Sequence, residues 1–412
     1  MATVRPFKAL HPAKDMFEKV AALPYDVYNA AEAREVVEKN PQSFLAIDRP
    51  ETQFEPGHDM YAPEVYKKAS EMLKEWEDKG IFVQDEKACY YIYTLTMDGR
   101  EQNGIVGCSS VDDYLSGTVR QHEHTLARKE QDRIDHVDAC SAQTGPIFLA
   151  YRSRPDLKAV IAKVKKEEPM FDLVSEDGIR HAGWRVDKDE DIQTISKAFE
   201  NTERTYIADG HHRCASAVKV ALKRRQEAGE YTGEEEYNYF LSVLFADEEL
   251  YIMPYNRLVR DLNGMSASEL LSKMEESFII KESGEKVVPA SKGTFGMYLD
   301  DKWYELKVKP EKAGTDEVSS LDVSYLQTYF LDGILGISDP KKDPRVDFAG
   351  GIRGIDYLVE RCHQDAKLAV VMYPTSIYEL LAVADAQKMM PPKSTWFEPK
   401  LRSGLFIHEI ER

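Results

Sequence analysis

Apolar positions recur along this chain with two periods, and each period marks a kind of element. Between residues 62 and 79, Val65, Ala69, Met72, Leu73 and Trp76 repeat at three- and four-residue spacing, and Gly80 follows as a stop. That spacing predicts a helix. Residues 30–39 predict a shorter one that ends before Pro41. Pro6, Pro12 and Pro24 break any helix in residues 1–30 and leave an extended segment. Short runs rich in β-branched and aromatic residues predict strands at 89–93 and 104–111, with Asp98-Gly99 between them as a hairpin signal. Further strands are expected at 147–151, 206–208, 239–245, 294–298, 303–308 and 368–372. Helices are expected at 192–199, 266–277, 319–331 and 376–386.

After Gly210, the residues Cys214, Ala217, Val218, Ala221 and Leu222 fall on one stripe, with Lys219, Lys223, Arg224 and Arg225 opposite. The pattern predicts an amphipathic helix packed on a sheet. Residues 226–236 read as a polar loop. Hairpins mixed with interspersed helices point to an α+β fold with mixed sheets rather than a doubly wound parallel sheet. A soft boundary is expected near residue 262, giving a unit of residues 1–262 and a second of 263–412. There is no internal repeat and no low-complexity tract.

The chain has 412 residues, enough for two or three domains, and 42% hydrophobic with 10% aromatic content supports a substantial core. A net charge of -18 argues against nucleic acid as a partner, because phosphate neutralisation needs clustered Lys and Arg. Cys89, Cys108, Cys140, Cys214 and Cys362 form no CxxC pair, which fits reduced thiols and a cytoplasmic setting. The first residues show no apolar leader segment, and no run is long and apolar enough to predict a membrane span.

The densest chemistry lies in Thr205-Tyr206-Ile207-Ala208-Asp209-Gly210-His211-His212-Arg213-Cys214. It reads as a strand, a glycine turn and a helix start. The N–H groups at such a helix start, the dipole and Arg213 make an anion site, with phosphate the usual guest. A second run, Arg120-Gln121-His122-Glu123-His124-Thr125 followed by Arg128 to Arg133, is rich in groups for acid–base work or metal ligation. Its plain alternative is a solvated helix start with Thr125 as cap and charge pairs beyond. A third, Met390-Pro391-Pro392-Lys393-Ser394-Thr395-Trp396-Phe397-Glu398-Pro399-Lys400, offers Lys393, Ser394 and Thr395 as phosphate donors on a proline-held loop. Pro24-Tyr25-Asp26-Val27 and the paired-glycine loop at 345–351 read as structural.

Arg5 to Leu10, Pro24-Tyr25-Asp26-Val27, Asn40 to Leu45, His122 to Thr125, Ala208 to Arg213 and Met390 to Phe397 together resemble the DUF1015 family of bacteria and archaea. The resemblance covers nearly the whole chain and implies relatives rather than a reaction. Asp209-Gly210-His211-His212-Arg213 also resembles the phosphate loop of the ParB/sulfiredoxin superfamily. There sulfiredoxin has Gly-Cys-His-Arg and the free-serine kinases have Asp-Gly-Thr-His-Arg. Gly210, His212 and Arg213 match both patterns and Asp209 matches the kinases. His211 replaces sulfiredoxin's cysteine, which argues against thiol chemistry.

That likeness implies a ParB/sulfiredoxin-like core around Asp209 to Arg213 and a nucleotide-binding phosphotransferase acting on a small metabolite. ATP or ADP and Mg²⁺ would be the cofactors. Gly210, His211, His212, Arg213, Lys393 and Ser394 would hold the nucleotide, with Asp209, Glu123 and His122 as catalytic groups. Two alternatives stand beside it: a metal-dependent hydrolase using His122, His124, His211 and His212, and a non-catalytic nucleotide- or partner-binding module.

Overall fold

The hairpin turn at Asp98-Gly99 shows how local sequence sets the architecture. Both residues adopt positive φ, 52° and 78°, the backbone that a tight hairpin requires and that Asp and Gly tolerate. The turn joins strands Tyr90–Met97 and Arg100–Ser110, paired antiparallel from Tyr91 opposite Val106 to Met97 opposite Arg100. The computed structural model describes residues 1–125 and 127–410. The chain divides into two compact units, described separately below. One comprises Met1–Arg120, Thr125–Leu250 and Pro399–Arg412, and the other comprises Gln121–His124 and Tyr251–Glu398.

The first unit is built on a nine-stranded sheet. Its strands run in the order Val119–Arg120, Thr205–Asp209, Ile147–Tyr151, Tyr239–Ala246, Arg100–Ser110, Tyr90–Met97, Arg180–Val186 and Phe171–Val174, with Val4–Arg5 beside Arg100–Ser110. Most pairs are antiparallel; Thr205–Asp209 on Val119–Arg120 and Tyr239–Ala246 on Ile147–Tyr151 are parallel. The architecture is α+β with mixed sheets, as the alternation of hairpins and helices implies. Helices Pro155–Val164, Asp189–Glu200 and His211–Ala228 contribute Leu157, Val160, Ile161, Ile195, Phe199, Cys214, Ala217 and Val218 to one core with Ile92, Ile105, Leu149, Ile207 and Leu244 of the strands.

The last segment returns to this unit. Leu10 and Ile407 exchange two backbone hydrogen bonds at 3.0 and 2.8 Å, and His408–Glu409 pairs with Ala142–Gln143. Phe406 packs between Tyr91 and Tyr93, and Arg402 donates to Ser175 at 2.9 Å. Beside it His181 is fully buried, 2.7 Å from the Tyr93 hydroxyl and 3.1 Å from Ser175 Oγ.

Burial, with the nearby Arg402 charge, pushes the His181 imidazole down to about 3. The unfolded chain therefore takes up the proton first. Stability is retained above pH ~6.5 and lost as pH falls towards 3. Between pH 7.5 and 5 this group alone accounts for about 2 kcal/mol. His181→Asn is expected to flatten the slope of unfolding free energy over that range by this amount, measured by urea unfolding at pH 7.5 and 5.0. An unchanged slope would show that other groups carry it.

Several elements depart from the sequence expectation for identifiable reasons. In helix His211–Ala228, Leu222 is exposed, whereas Arg224 and Arg225 are buried. Arg225 reaches Asp112 at 2.7 Å and Asn238 at 2.6 Å, and Arg224 reaches Asp138 at 3.2 Å, so specific acceptors bring these cations inside. The charged run beyond Thr125 is not a solvated face. It forms helix Ala127–Cys140, whose Glu130, Asp132, Arg133 and His136 are buried. Residues 345–351 are not a loop: Val346–Gly350 is a strand paired with Tyr255–Val259. Residues 319–331 form helix Asp322–Leu326, which widens into a π-helical turn at Gln327–Asp332.

The second unit holds a six-stranded antiparallel sheet in the order Phe278–Ser283, Lys302–Val308, Thr294–Leu299, Leu368–Val371, Tyr255–Val259 and Val346–Gly350. Helix Ile377–Asp385 begins at a capping box in which Ser376 and Glu379 satisfy each other's backbone N–H groups. The five cysteines are free thiols. Among the described residues, no helix is long and apolar enough to cross a membrane.

Candidate functional site: the glycine turn before the long helix

Strand Thr205–Asp209 ends in a register shift. Ile207 lies opposite Leu149 and Asp209 opposite Phe148, so one extra residue is accommodated at Ala208. Such a bulge bends the strand and re-aims the side chain that follows it. Gly210 then turns the chain with φ 92° and ψ 31°. A Cβ at Gly210 would lie 3.2 Å from Nε of Arg213 and 3.3 Å from Nη2. Glycine therefore serves twice here. It accepts the left-handed backbone, and it lets the guanidinium fold back over the turn.

Helix His211–Ala228 starts without a capping side chain and without an acid in its first turn. Its first intrahelical bond runs from Cys214 N–H to Gly210 O at 2.9 Å, so the preceding N–H groups point out of the helix end. Arg213 sits there, anchored by Nη1 donating to Pro146 O at 2.7 Å. His211 is buried and His212 half-buried. The result is a helix end with positive dipole, an anchored guanidinium and no carboxylate in the helix's first turn.

Asp209 has a cation of its own. Its Oδ2 accepts from Lys400 Nζ at 2.8 Å and its Oδ1 accepts from the Gly210 N–H at 2.7 Å. Burial opposes the carboxylate charge, but Lys400 and then Arg213 outweigh it and hold Asp209 well below the usual carboxylate range. Lys400 ends the run that sequence reading marked for Lys393, Ser394 and Thr395. Its role could not be read because Asp209 lies 191 residues away.

Behind Arg213 lies a cavity of about 30 Å³, lined by Tyr25, Asp48, Arg133, Thr144, Gly145 and Arg213 among others. That volume admits about two water molecules. The Arg133 guanidinium lies 4.0 Å from the Tyr25 ring centroid and bonds Asp132 through Nε at 3.0 Å. Thr144 donates to Asp48 at 2.9 Å. Burial, against the pull of Arg133, raises the Tyr25 phenol to about 12, so it stays protonated near neutrality. From the sequence alone Pro24-Tyr25-Asp26-Val27 reads as structural, Arg133 is marked only as the end of the charged run from Arg128, and Thr144 is not marked.

Helix Ala127–Cys140 packs alongside. Ser216 Oγ lies 2.7 Å from His212 O and 3.0 Å from Glu130 O. Burial works against the Glu130 charge. The hydrogen bonds from Lys219 and Thr125, with His212 nearby, prevail and hold it below its ordinary value.

The remaining expected residues belong to the second unit. His122 is buried there and its carbonyl accepts from Met390 N–H at 2.8 Å, so the His122 segment and the 390–397 loop meet. Glu123 pairs with Lys341 at 3.4 Å, and Lys341 also lies 3.5 Å from His124 O. Lys393 sits at φ 59°, 5.6 Å from the Tyr255 ring centroid, and Ser394 donates to Pro391 O at 2.6 Å. Asp209, Gly210, His211, His212 and Arg213 belong to the first unit. Among the described residues no group of three or more His, Cys, Asp or Glu is arranged to hold a metal ion.

A family model described as "Protein of unknown function (DUF1015)" matches residues 4–324, most of the chain. The chain belongs to the DUF1015 family. No curated protein matches it. Among solved structures, a free serine kinase mutant in complex with AMP is 12% identical, covering 74% of this chain and 92% of that one at a TM-score of 0.37. A conserved hypothetical protein from Pyrococcus furiosus is 13% identical over 74% and 94%, at 0.36. SbnI with a C-terminal truncation, from Staphylococcus aureus, is 12% identical over 71% and 82%, at 0.37. Likeness at this level identifies no shared activity for this DUF1015 chain.

Proposed function

We propose that this protein is a nucleotide-dependent phosphotransferase acting on a small metabolite, with the nucleotide phosphates held at Gly210, His211, His212 and Arg213. The observation that carries the reading is the Asp209–Lys400 pair at 2.8 Å beside an uncapped helix start. Phosphoryl transfer needs positioning and positive charge more than covalent chemistry from the protein. The helix start and Arg213 supply that charge as fixed dipoles and a guanidinium, and Lys400 adds an ammonium held by Asp209.

ATP or ADP fits this donor set, because a helix start and two cations, Arg213 and Lys400, lie around Asp209. Mg²⁺ fits through water on Asp209, since that carboxylate stays ionised. When bound, the metal would offset charge on the phosphate oxygens. The depressed pKa makes Asp209 a weak base near neutrality. Its role in this reading is to hold Lys400 and to carry the metal's water. Glu123 and His122 keep their place as candidate acid–base groups of the second unit.

The test is a thermal-shift screen against ATP, ADP, CTP, GTP and pyrophosphate, with and without Mg²⁺. A ligand that binds only the folded state stabilises it by mass action, by about 2.7 kcal/mol at a hundredfold excess over Kd, and so raises the midpoint. A shift for a nucleotide that disappears in Arg213→Ala is the expected result. No shift with any phosphate compound would sink the reading.

A further inference from the structure

The cavity beside Arg213 holds a carboxylate that its surroundings leave half used. Asp48 ends the short buried helix Leu45–Asp48, and only 3% of it is exposed. Thr144 donates to its Oδ1 at 2.9 Å. Among the described residues Oδ2 accepts no hydrogen bond, and the carboxylate forms no ion pair. Arg133 comes close, but it donates to the Asp48 backbone carbonyl at 3.4 Å and pairs with Asp132. A desolvated carboxylate with one donor is costly to keep, because its other lone pairs ask for partners.

His136 lines the same cavity and adds a second acceptor. Its Nε2 lies 2.8 Å from Ile47 O. A carbonyl only accepts, which assigns the hydrogen to Nε2 and leaves Nδ1 as an acceptor with no partner among the described residues. Burial, and then the Arg133 charge, lower the pKa of this imidazole and keep it neutral. Tyr25, Ser403 and Arg213 line the cavity as donors. Arg213 belongs to the cavity and to the glycine turn at once. A Cβ on Gly145, in the cavity wall, would lie 3.5 Å from its Nη1, and one on Gly210 would lie 3.2 Å from its Nε. A phosphate at the turn and a small group in the cavity would meet the same guanidinium.

We infer that this cavity seats the hydroxyl group that receives the phosphoryl group, and that Asp48 is the base that takes its hydrogen; the inference rests on the nucleotide reading at Gly210 to Arg213. A hydroxyl suits the lining, since it offers one hydrogen to Asp48 Oδ2 and lone pairs to Tyr25 or Arg213. A carboxylate would set a second anion against Asp48, and an ammonium would meet Arg133 and Arg213. The space, about two water molecules, takes a hydroxyl and the carbon that bears it. In the transfer, Oδ2 accepts the hydroxyl hydrogen as that oxygen bonds to the γ-phosphorus. The bond from this phosphorus to the bridging oxygen breaks, and the nucleoside diphosphate leaves with the electron pair.

The experiment uses full-length protein, ATP with Mg²⁺, and water as the acceptor that the cavity admits. Calorimetry reads the Kd for ATP, and phosphate release reads turnover. In Asp48→Asn, whose amide oxygen can still accept from Thr144, release is expected to fall about a hundredfold while Kd stays within about twofold. Asp48→Ala is expected to regain about tenfold of its lost rate when formate, a carboxylate small enough for the vacated space, is added. If Asp48→Asn does not fold, Ser403→Val, which fills the cavity and keeps the carboxylate, decides by the same two readings. Release that is unchanged in these variants, with ATP still bound, would overturn the role of Asp48 and leave the nucleotide reading standing. Release by the unaltered chain no faster than that of ATP in buffer, with ATP bound, would overturn it as well. An unaltered chain that binds no ATP would sink the nucleotide reading and this inference with it.

Discussion

On the phosphotransferase proposal, Lys400→Ala is expected to weaken nucleotide binding by about 10- to 100-fold, or roughly 1.4–2.7 kcal/mol. Lys400 pairs with Asp209 at 2.8 Å, and without it a half-buried carboxylate faces the approaching phosphates with only Arg213 nearby to offset it. The loss is therefore more than one missing attraction, because a repulsion appears in its place. Removing that repulsion as well should recover part of the affinity. The double variant Asp209→Asn with Lys400→Ala is expected to bind more tightly than Lys400→Ala alone. Calorimetric Kd values for the four members of this cycle measure the coupling. A double variant no better than the single one would mean that Asp209 does not face the ligand.

Arg133→Ala is expected to cost about 3–5 kcal/mol of stability, the usual consequence of stranding one member of a buried ion pair. Arg133 and Asp132 are both buried, with Nη2 2.9 Å from the carboxylate. The Tyr66 hydroxyl donates to the same carboxylate at 3.0 Å, and Tyr25 stacks on the guanidinium. After the substitution Asp132 keeps Tyr66 but loses its countercharge, and a void opens beside the cavity next to Arg213. Replacing both members, Asp132→Asn with Arg133→Met, should cost less than Arg133→Ala because no buried charge is stranded. Urea unfolding of the three variants decides. Equal losses for Arg133→Ala and the double variant would show that packing, and not charge pairing, holds this region.

Much of the local architecture follows from short-range signals. The Asp98-Gly99 turn, the helix at residues 30–39 begun by Asn29 and Glu32, and the strand at residues 147–151 are set by residues within a few positions of one another. The glycine turn is equally local: Gly210 provides the positive φ, and the strand before it and the apolar stripe after it frame the junction. Periodicity was misleading where charge is buried. Arg224 and Arg225 read as a solvent face because their acceptors, Asp138, Asp112 and Asn238, lie 13 to 113 residues away. The charged run after Thr125 misled for the same reason. Asp132, Arg133 and His136 are satisfied by one another, by Tyr66 and by the carbonyls of Asp48 and Ile47.

The sequence by itself determined the α+β character, the strand–turn–helix at Asp209 to Arg213 and the membership in a recognisable family. Each of these depends on backbone conformation and on apolar spacing along a contiguous stretch, which the residues in that stretch encode. Only the tertiary structure decided that Lys400 pairs with Asp209, that Tyr25 and Arg133 line the cavity beside Arg213, and that Arg257 is buried without a carboxylate among the described residues. The physical reason is common to all three. Electrostatic partners are chosen by distance in space after the chain has folded, and no local pattern records which distant residue will arrive.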